Sequence, residues 1–337
     1  MSSLKLKPVI AVTMGDPAGI GPEVVLRALA DESADSMCYP VVFGSAAVLK
    51  REIDSHQLDL RIVSVDSAHI HPTERGVIQL VETSGDEALV PYGEVSVAGG
   101  EAAVAAVIAA ADLAVRGVVD GICTAPLNKE SMRSAGYHFD GHTELLAEVT
   151  GSGPVSMLLL GDRLRVAHMT THRSLSSVSQ AITAERIATV VKIAHEAMQS
   201  LGFNEPRIAV AGINPHSGEN GLFGDEEITV MAPAIAALVA EGYRVSGPAS
   251  PDSVFIDMLS GRYDIVVAAY HDQGHIPVKL LERNRAVNVT GGLPIIRASV
   301  DHGTGFDIAG QGVADIENML AALAVAAAMA TRKRSDH

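Results

Sequence analysis

The sequence predicts an α/β protein with a largely parallel sheet. Short apolar runs rich in β-branched residues, the pattern of strands buried on both faces, alternate along the chain with segments whose apolar residues recur at helical spacing. Several of these runs end abruptly in polar clusters, at the place where open α/β sheets bind ligands. This alternation is typical of α/β folds with parallel strands.

The predicted elements follow one another without internal repeats or low-complexity linkers. In the first part of the chain we predict strands at 8–14, 40–43, 60–65 and 117–124, with helices from Pro22, from Ser45 and over 99–115. Further along we predict a helix start at 140–144, strands at 164–169, 207–211, 265–269 and 286–290, and helices over 183–201 and from Pro251. No composition change marks a domain boundary.

Composition limits the classes of function. At 337 residues and 47% hydrophobic, the chain is large enough for two domains. A net charge of −15 argues against nucleic acid or an anionic membrane as partner. Two cysteines are too few for a disulfide framework, and no signal peptide is recognisable, so we expect a cytoplasmic protein. The most apolar segments, 98–115 and 319–330, are expected to be buried helices.

A glycine-rich turn, GDPAGIGPE, follows the first predicted strand at 15–23. Pro22 and Glu23 suit the first turn of the helix that comes next. One interpretation is an anion or cofactor loop at a helix N-terminus. The other is a turn that packs a strand closely against a helix. The spacing matches neither the Walker loop nor the dinucleotide fingerprint, so both interpretations stay open.

Three histidines follow the ends of three predicted strands. His172 comes after 164–169, His216 after 207–211 and His271 after 265–269. If these strands are neighbours in the sheet, their carboxyl ends bring the three imidazoles together. Imidazole suits zinc and similar divalent metals, and three protein ligands leave a position open for catalysis. Capped strand ends with solvated histidines are the alternative.

Several polar residues have the character of a phosphate site. Lys279, Asn288 and Arg297 supply two cations and an amide within a short distance of His271. Because Lys279 and Arg297 lie in apolar surroundings, both are expected to be partly enclosed rather than fully solvated. His142, at the helix start, could also meet a phosphate, although a plain helix cap accounts equally for this segment.

The motifs together resemble those of the 4-hydroxythreonine-4-phosphate dehydrogenase family over roughly residues 8 to 330. They are GDPAGIGPE (15–23), APLNK (125–129), GHTE (141–144), TTH (170–172), GINPHSGE (212–219), YHDQG (270–274), and GLPIIR with SVDHGTG (292–305). The resemblance implies the isocitrate/isopropylmalate dehydrogenase-like fold, with two α/β domains flanking a cleft, and not a Rossmann fold. It also implies a homodimer with active sites at the subunit boundary.

The resemblance assigns roles to individual residues. The implied metal site holds a divalent ion (Zn, Mg, Mn or Co) on His172, His216 and His271, one of them from the partner subunit. The implied substrate and phosphate site consists of His142, Thr143, Lys279, Asn288 and Arg297. The implied site for NAD or NADP consists of His302, Gly303, Thr304 and Asp307. The family usually has alanine where Gly305 stands. The implied domains are 1–127 with 282–337, on the cofactor side, and 128–281, with the metal ligands and the dimer interface.

The implied reaction is oxidation of a phosphorylated 3-hydroxy acid to the 3-keto acid, followed by loss of CO2. Asp272 and Asp252 are candidates for the base, and orienting a metal-bound histidine is an equally good role for Asp272. The segments 219–227 and 270–281 resemble the branch acting on D-threonate or D-erythronate 4-phosphate more than the vitamin B6 enzymes, which lack His275.

Other functions remain open on this sequence. A metal-dependent phosphohydrolase would use three histidines and a phosphate site equally well. A metal-binding protein without catalysis and a relative of the cis-dihydrodiol dehydrogenases are further alternatives. The phosphate site argues against the dihydrodiol reaction.

Overall fold

The computed structural model describes residues 7–335 of the chain. Within them the strands are β1 (Val9–Thr13), β2 (Tyr39–Gly44), β3 (Arg61–Ser64), β4 (Val77–Glu82), β5 (Gly121–Thr124), β6 (Ser156–Leu160), β7 (Arg165–His168), β8 (Ile208–Ala211), β9 (Val245–Ala249), β10 (Ile265–Ala268), β11 (Val287–Gly291) and β12 (Arg297–Ser299). The α-helices are α1 (Gly21–Ala30), α2 (Glu32–Met37), α3 (Ala46–His56), α4 (Val97–Val115), α5 (Lys129–Ser134), α6 (His142–Thr150), α7 (Val178–Ala181), α8 (Ala184–Ser200), α9 (Ala232–Ala240), α10 (Val254–Leu259), α11 (His271–Glu282) and α12 (Glu317–Ser335).

The chain divides into two compact units. Unit 1 comprises the chain up to Gly153 and from Leu293, and unit 2 is Pro154–Gly292. Both boundaries lie later in the chain than the sequence analysis placed them, at 127/128 and 281/282. The reason for the first difference is that α5 and α6 pack on α4, with Leu145 and Leu146 buried in the core of unit 1. Strand β11 pairs with β6, which places it in unit 2.

In unit 1 the strand order is β3-β4-β2-β1-β5-β12, and every pair within it is parallel. The central strands β1 and β5 are almost wholly buried, which explains their unbroken apolar sequences. Helix α4 is long and apolar enough to cross a membrane by composition alone, yet more than half of it is buried inside the structure. Its alanine and valine side chains belong to the unit 1 core, as expected from the sequence.

In unit 2 the order is β11-β6-β7-β10-β8-β9. Strands β7, β10, β8 and β9 pair in parallel, whereas β6 is antiparallel to both β11 and β7. Hydrophobic side chains of β7, β8 and β10 form the core with Val254, Met258 and Val278. The sheet of unit 2 therefore brings together the three strands that precede the candidate histidines.

Candidate metal and substrate site

The three strands that carry the candidate histidines are neighbours. Strand β10 lies between β7 and β8, parallel to both, with Ala268 opposite His168 and Val267 opposite Val210. The chain beyond each strand therefore leaves the sheet at the same edge. His172, His216 and His271 all follow at this edge, which is the topology that the sequence analysis required for them to meet.

The side chains are only partly assembled within one chain. The rings of His172 and His271 lie with centroids 6.2 Å apart. His216 lies instead against Asp252, its Nδ1 atom 3.6 Å from the carboxylate. Among residues 7–335 of this single chain, no group of three or more histidine, cysteine, aspartate or glutamate side chains is arranged to hold a metal. The three-histidine metal site thus stays a prediction.

His216 is presented by an unusual turn. In the 3-10 segment Pro215–Gly221, six consecutive residues from His216 to Gly221 have positive φ, between 44° and 92°. Only Gly218 and Gly221 among them lack a side chain, and each of the others costs about 1–2 kcal/mol in this conformation. A left-handed turn of this kind persists only when its surroundings hold it in place.

Glu227 provides much of that support. Its carboxylate is buried, at 2% exposure, and accepts hydrogen bonds from the backbone N–H of Asn214 at 2.7 Å and from its side-chain amide at 2.9 Å. The Asn214 amide also donates to Glu226. On the other side of the turn, Ser217 Oγ donates to the carbonyl of Pro248. The turn is therefore fastened to the body of unit 2 just before it begins, at Asn214, and within it, at Ser217.

Gln273 connects two of the three strand ends. Its side-chain oxygen accepts a hydrogen bond from the Ala269 N–H at 2.7 Å, and its amide donates to the Gly212 carbonyl at 2.8 Å. Helix α11 begins at His271, shortly after β10 ends at Ala268, and this places Gln273 in its first turn beside both strand ends. The sequence analysis did not identify Gln273, Asn214 or Glu227 as site residues. Their position within the quoted motifs and segments was the only sequence feature that pointed to them.

The two candidate aspartates each face a histidine. Asp272 accepts a hydrogen bond from His271 Nδ1 at 2.7 Å, and Asp252 lies at the ion-pair distance from His216 given above. A hydrogen bond from Ser250 is the main cause that lowers the pKa of Asp252, so this carboxyl is ionised at neutral pH. An imidazole whose Nδ1 is held by a carboxylate presents Nε2 outward, which is how histidine metal ligands are commonly oriented. The donor set therefore fits a divalent metal.

The remaining substrate-binding candidates in unit 2 are Asn288 and Lys279, and neither is fully buried. Asn288 lies in β11 and is partly buried. Lys279 lies in α11 and is exposed, so the expectation that it is partly enclosed is wrong for the single chain. The reason is helical periodicity: Val278 points into the core, whereas the next position faces solvent.

In unit 1, Arg297 is a buried cation. It begins β12, is 3% exposed, and donates from Nη2 to Thr124 Oγ1 at 2.9 Å. Burial lowers the pKa of Arg297 to about 10, and the guanidinium nevertheless stays charged at neutral pH. A charge held in such surroundings strongly favours an anionic partner. The predicted enclosure of Arg297 is confirmed.

His142 and Thr143 open helix α6, also in unit 1. Burial, followed by the positive charge of Arg297, lowers the pKa of His142 well below its ordinary value, so the ring is neutral. Its Nε2 atom is buried and has no hydrogen-bond partner among the described residues. A neutral imidazole and a charged guanidinium thus share one environment at the start of a helix, where backbone N–H groups also favour an anion.

The predicted cofactor segment packs on the glycine-rich turn of unit 1. The backbone N–H of Ile20 donates to the Thr304 carbonyl at 2.8 Å, and a Cβ on Gly19 would lie 2.5 Å from the same oxygen. Gly305 has φ +53°, a left-handed conformation that suits glycine better than alanine. His302 Nδ1 forms a hydrogen bond with the Gly303 carbonyl, and the Asp307 carbonyl accepts one from the Gln311 side chain. The glycines therefore permit close packing, and the four cofactor residues stay a prediction.

Comparisons with known proteins agree with the motifs. A family model described as "Pyridoxal phosphate biosynthetic protein PdxA" matches residues 36–326. The 4-hydroxythreonine-4-phosphate dehydrogenase of Geobacter metallireducens is 45% identical over 98% of this chain and 97% of its own. The D-threonate 4-phosphate dehydrogenase of Pectobacterium atrosepticum is 44% identical over 96% of this chain and 100% of its own.

A solved structure is similar over nearly the full length. The crystal structure of a 4-hydroxythreonine-4-phosphate dehydrogenase from Klebsiella pneumoniae superimposes with a TM-score of 0.90, at 44% identity, covering 98% of this chain and 100% of the other. The resemblance drawn from the motifs is confirmed, and so is the fold class that it implied, which is not a Rossmann fold.

Proposed function

The chain belongs to the PdxA family, and from this premise we propose that it is a metal- and NAD(P)-dependent dehydrogenase of a phosphorylated 3-hydroxy acid. The substrate is 4-hydroxythreonine 4-phosphate or the 4-phosphate of D-threonate or D-erythronate. The observation that carries the proposal is the placement of His172, His216 and His271 after three neighbouring parallel strands. Relatives of nearly equal length that are named dehydrogenases of such substrates support it.

Arg297 is the centre of the proposed phosphate site. Its buried guanidinium can form paired hydrogen bonds to phosphate oxygens, and neutral His142 can accept or donate one without adding charge. Thr143, Lys279 and Asn288 supply further donors in the family-derived assignment. Because the chain as a whole carries −15, this local positive charge is needed to bind an anionic substrate.

The three histidines would hold the divalent metal, with one of them contributed by a second subunit. Bound there, the cation supplies Lewis-acid polarisation of the substrate alcohol. Asp272 accepts a hydrogen bond from Nδ1 of His271 and so fixes the direction of that ring, and Asp252 lies 3.6 Å from Nδ1 of His216.

The chemistry then requires a base and a hydride acceptor. A base, for which Asp272 and Asp252 are the candidates, would take the proton of the carbon-3 hydroxyl, and bound NAD(P)+ would supply the acceptor for the carbon-3 hydride. The product is a 3-keto acid, which loses CO2 as the bonding electrons move toward the ketone. His302, Gly303, Thr304 and Asp307 are the proposed contacts for the nucleotide.

Unit 2 carries the proposed dimer interface. Large apolar side chains are exposed on it, among them Leu222, Leu280, Ile256, Ile276 and Ile228. A second copy of the chain is the proposed occupant of this face, where association would cover these side chains. We also infer a cytoplasmic enzyme, since both cysteines are buried free thiols.

Reduced-nicotinamide absorbance tests the proposed function. With metal, NAD(P)+ and a panel of 4-hydroxythreonine, D-threonate and D-erythronate 4-phosphates, at least one substrate should give reduced nicotinamide, and a chelator should stop the reaction. Release of free phosphate without nicotinamide reduction would instead identify a phosphohydrolase. Activity on an unphosphorylated cis-dihydrodiol would contradict the assigned phosphate site. The panel also decides which branch of the family the enzyme joins.

A further inference from the structure

We propose that His275 is a positioning residue for His271. The His275 ring is fixed by hydrogen bonds, and by stacking on the His271 ring it keeps that ring in the direction needed to ligate the metal. The inference rests on the proposed metal role of His271. It adds a residue to which neither the family resemblance nor the preceding proposal gives a function.

The two rings lie face to face. His271 and His275 are four residues apart on α11 and therefore project from the same side of the helix. Their ring centroids are 3.5 Å apart and the planes are inclined by only 12°. His271 is partly exposed, whereas His275 is 8% exposed. The candidate ligand thus rests on a ring that is itself enclosed by protein.

Hydrogen bonds fix the orientation of the supporting ring. Its Nδ1 atom lies 3.1 Å from the His271 carbonyl and 3.1 Å from Nε2 of His168. Because a carbonyl oxygen can only accept, Nδ1 of His275 must carry the proton and donate it. Rotation of the ring about its Cβ–Cγ bond would break this hydrogen bond, so the donor fixes the direction of the plane on which His271 stacks.

His168 anchors the other end of the row. It ends β7, is fully buried, and donates from Nδ1 to the Met157 carbonyl at 3.2 Å. Its Nε2 is then an acceptor in the neutral ring, as the hydrogen bond from His275 requires. Burial, followed by the charge of His275, lowers the pKa of His168 to about 3, in agreement with a neutral ring. The row of rings is therefore anchored in the backbone of β6.

Gly274 makes this approach possible. A Cβ at this position would lie 2.4 Å from His168 Nε2 and 2.7 Å from a methyl group of Val166. Any side chain here would push His168 away from His275 or displace the first turns of α11. The absence of a side chain at 274 and the imidazole at 275 thus belong to the same local arrangement.

Two substitutions separate the two parts of the support. His275→Phe keeps a flat ring against His271 but removes the Nδ1 donor. His275→Leu removes both the donor and the aromatic face. Groups that orient metal-binding histidines typically contribute about 10–100-fold to metal affinity. We therefore expect affinity to fall in the order unchanged protein, His275→Phe, His275→Leu, with the last weaker by about tenfold or more.

The experiment is a titration of the metal-free, full-length protein with Co2+, followed by calorimetry and by the visible absorption of the bound ion. Absorption reports ligand geometry, which a purely structural role of His275 would leave unchanged. His195→Leu is the matched control, since His195 packs edge-on against Tyr243 elsewhere in unit 2. It should bind Co2+ as the unchanged protein does.

The outcomes are distinguishable. Weaker binding with an altered absorption spectrum in both His275 variants, but not in the control, supports the inference. Unchanged affinity and spectrum in His275→Phe and His275→Leu would overturn it while leaving the proposed metal site intact. Failure of the unchanged protein to bind Co2+ would overturn the metal site itself, and this inference with it. If His275→Leu does not fold, the comparison of His275→Phe with the control decides.

Discussion

Asn214 lies two residues before His216, and its backbone N–H donates a 2.7 Å hydrogen bond to the buried carboxylate of Glu227. This bond secures the start of a turn in which six successive residues have positive φ angles. Backbone strain of this kind is commonly found at functional sites, where the surroundings maintain it. The turn is therefore the place where stability and the proposed metal site are most closely coupled.

Replacing Glu227 with alanine should destabilise the protein by about 1–3 kcal/mol, because the partly buried backbone N–H of Asn214 loses its acceptor and the side-chain amide keeps only Glu226. Urea unfolding measures this change in the free energy of unfolding. The same variant should bind Co2+ more weakly, since the His216 turn is no longer fastened. Glu205→Ala, which removes an exposed partner of Arg244, is the control and should change neither quantity. Equal stability of the two variants would contradict this view of Glu227.

The glycine at 218 should be far less replaceable than other glycines with positive φ. At Gly218, φ +79°, a Cβ would lie 2.7 Å from the Gly224 carbonyl oxygen and 2.9 Å from Glu227. At Gly202, φ +96°, a Cβ would meet nothing within 4 Å. Both alanine variants carry backbone strain, but only Gly218→Ala adds a steric clash with backbone. Denaturant unfolding should show the larger loss for Gly218→Ala, and the reverse order would be evidence against a tightly packed turn.

Arg297→Lys should weaken binding of the phosphorylated substrate. A lysine keeps the charge but cannot offer two parallel N–H groups to phosphate oxygens or reach Thr124 in the same way. Loss of one charge-assisted hydrogen bond, about 1.5–3 kcal/mol, corresponds to a rise in KM of roughly tenfold or more. Steady-state kinetics measures it. Arg116→Lys, on the exposed surface of α4, serves as control. An unchanged KM in Arg297→Lys would remove Arg297 from the phosphate site.

His168 should make stability depend on pH. Its pKa falls from 6.5 in the unfolded chain to about 3 in the fold. Between these values the unfolded state binds one more proton, so the stability contributed above pH 6.5 is lost as the pH falls toward 3, by about 1.4 kcal/mol per unit. His168→Gln should flatten this slope, as measured by unfolding from pH 6.5 to 4.5. His69→Gln, at an exposed histidine, should leave the slope unchanged. Parallel slopes for all three proteins would refute the assignment.

Much of the fold was predictable because local signals agreed with the tertiary structure. Buried strands such as Ile265–Ala268 are apolar throughout, α8 has apolar residues at helical spacing, and α4 is long and rich in alanine and valine. Strands β4, β6, β9 and β12 were not predicted, and β6 was missed although Ser156–Leu160 is mostly buried and apolar and Gly161 and Asp162 separate it from β7. The helix that begins at His271 was not predicted, because the polar residues of its first turn show no apolar helical pattern.

The candidate site was predictable residue by residue only where a motif named the residue. The strand ends identified His172, His216 and His271, but their pairing with Asp252, Asp272 and one another depends on the conformation of loops. No sequence pattern indicates six residues in a row with positive φ, or that Glu227 supports them from a position after the turn. Burial of Arg297 followed from its apolar neighbours, whereas the exposure of Lys279 depended on the phase of a helix that was not predicted.

The central claim is that three imidazoles from distant parts of the chain meet at one ion. X-ray diffraction recorded at the zinc absorption edge, from crystals of the protein grown with zinc, tests it most directly. We expect one anomalous peak per active site, contacted by His172, His216 and His271, with one of the three supplied by the neighbouring subunit. A zinc peak away from these histidines, or none at all in crystals of the assembled dimer, would contradict the account.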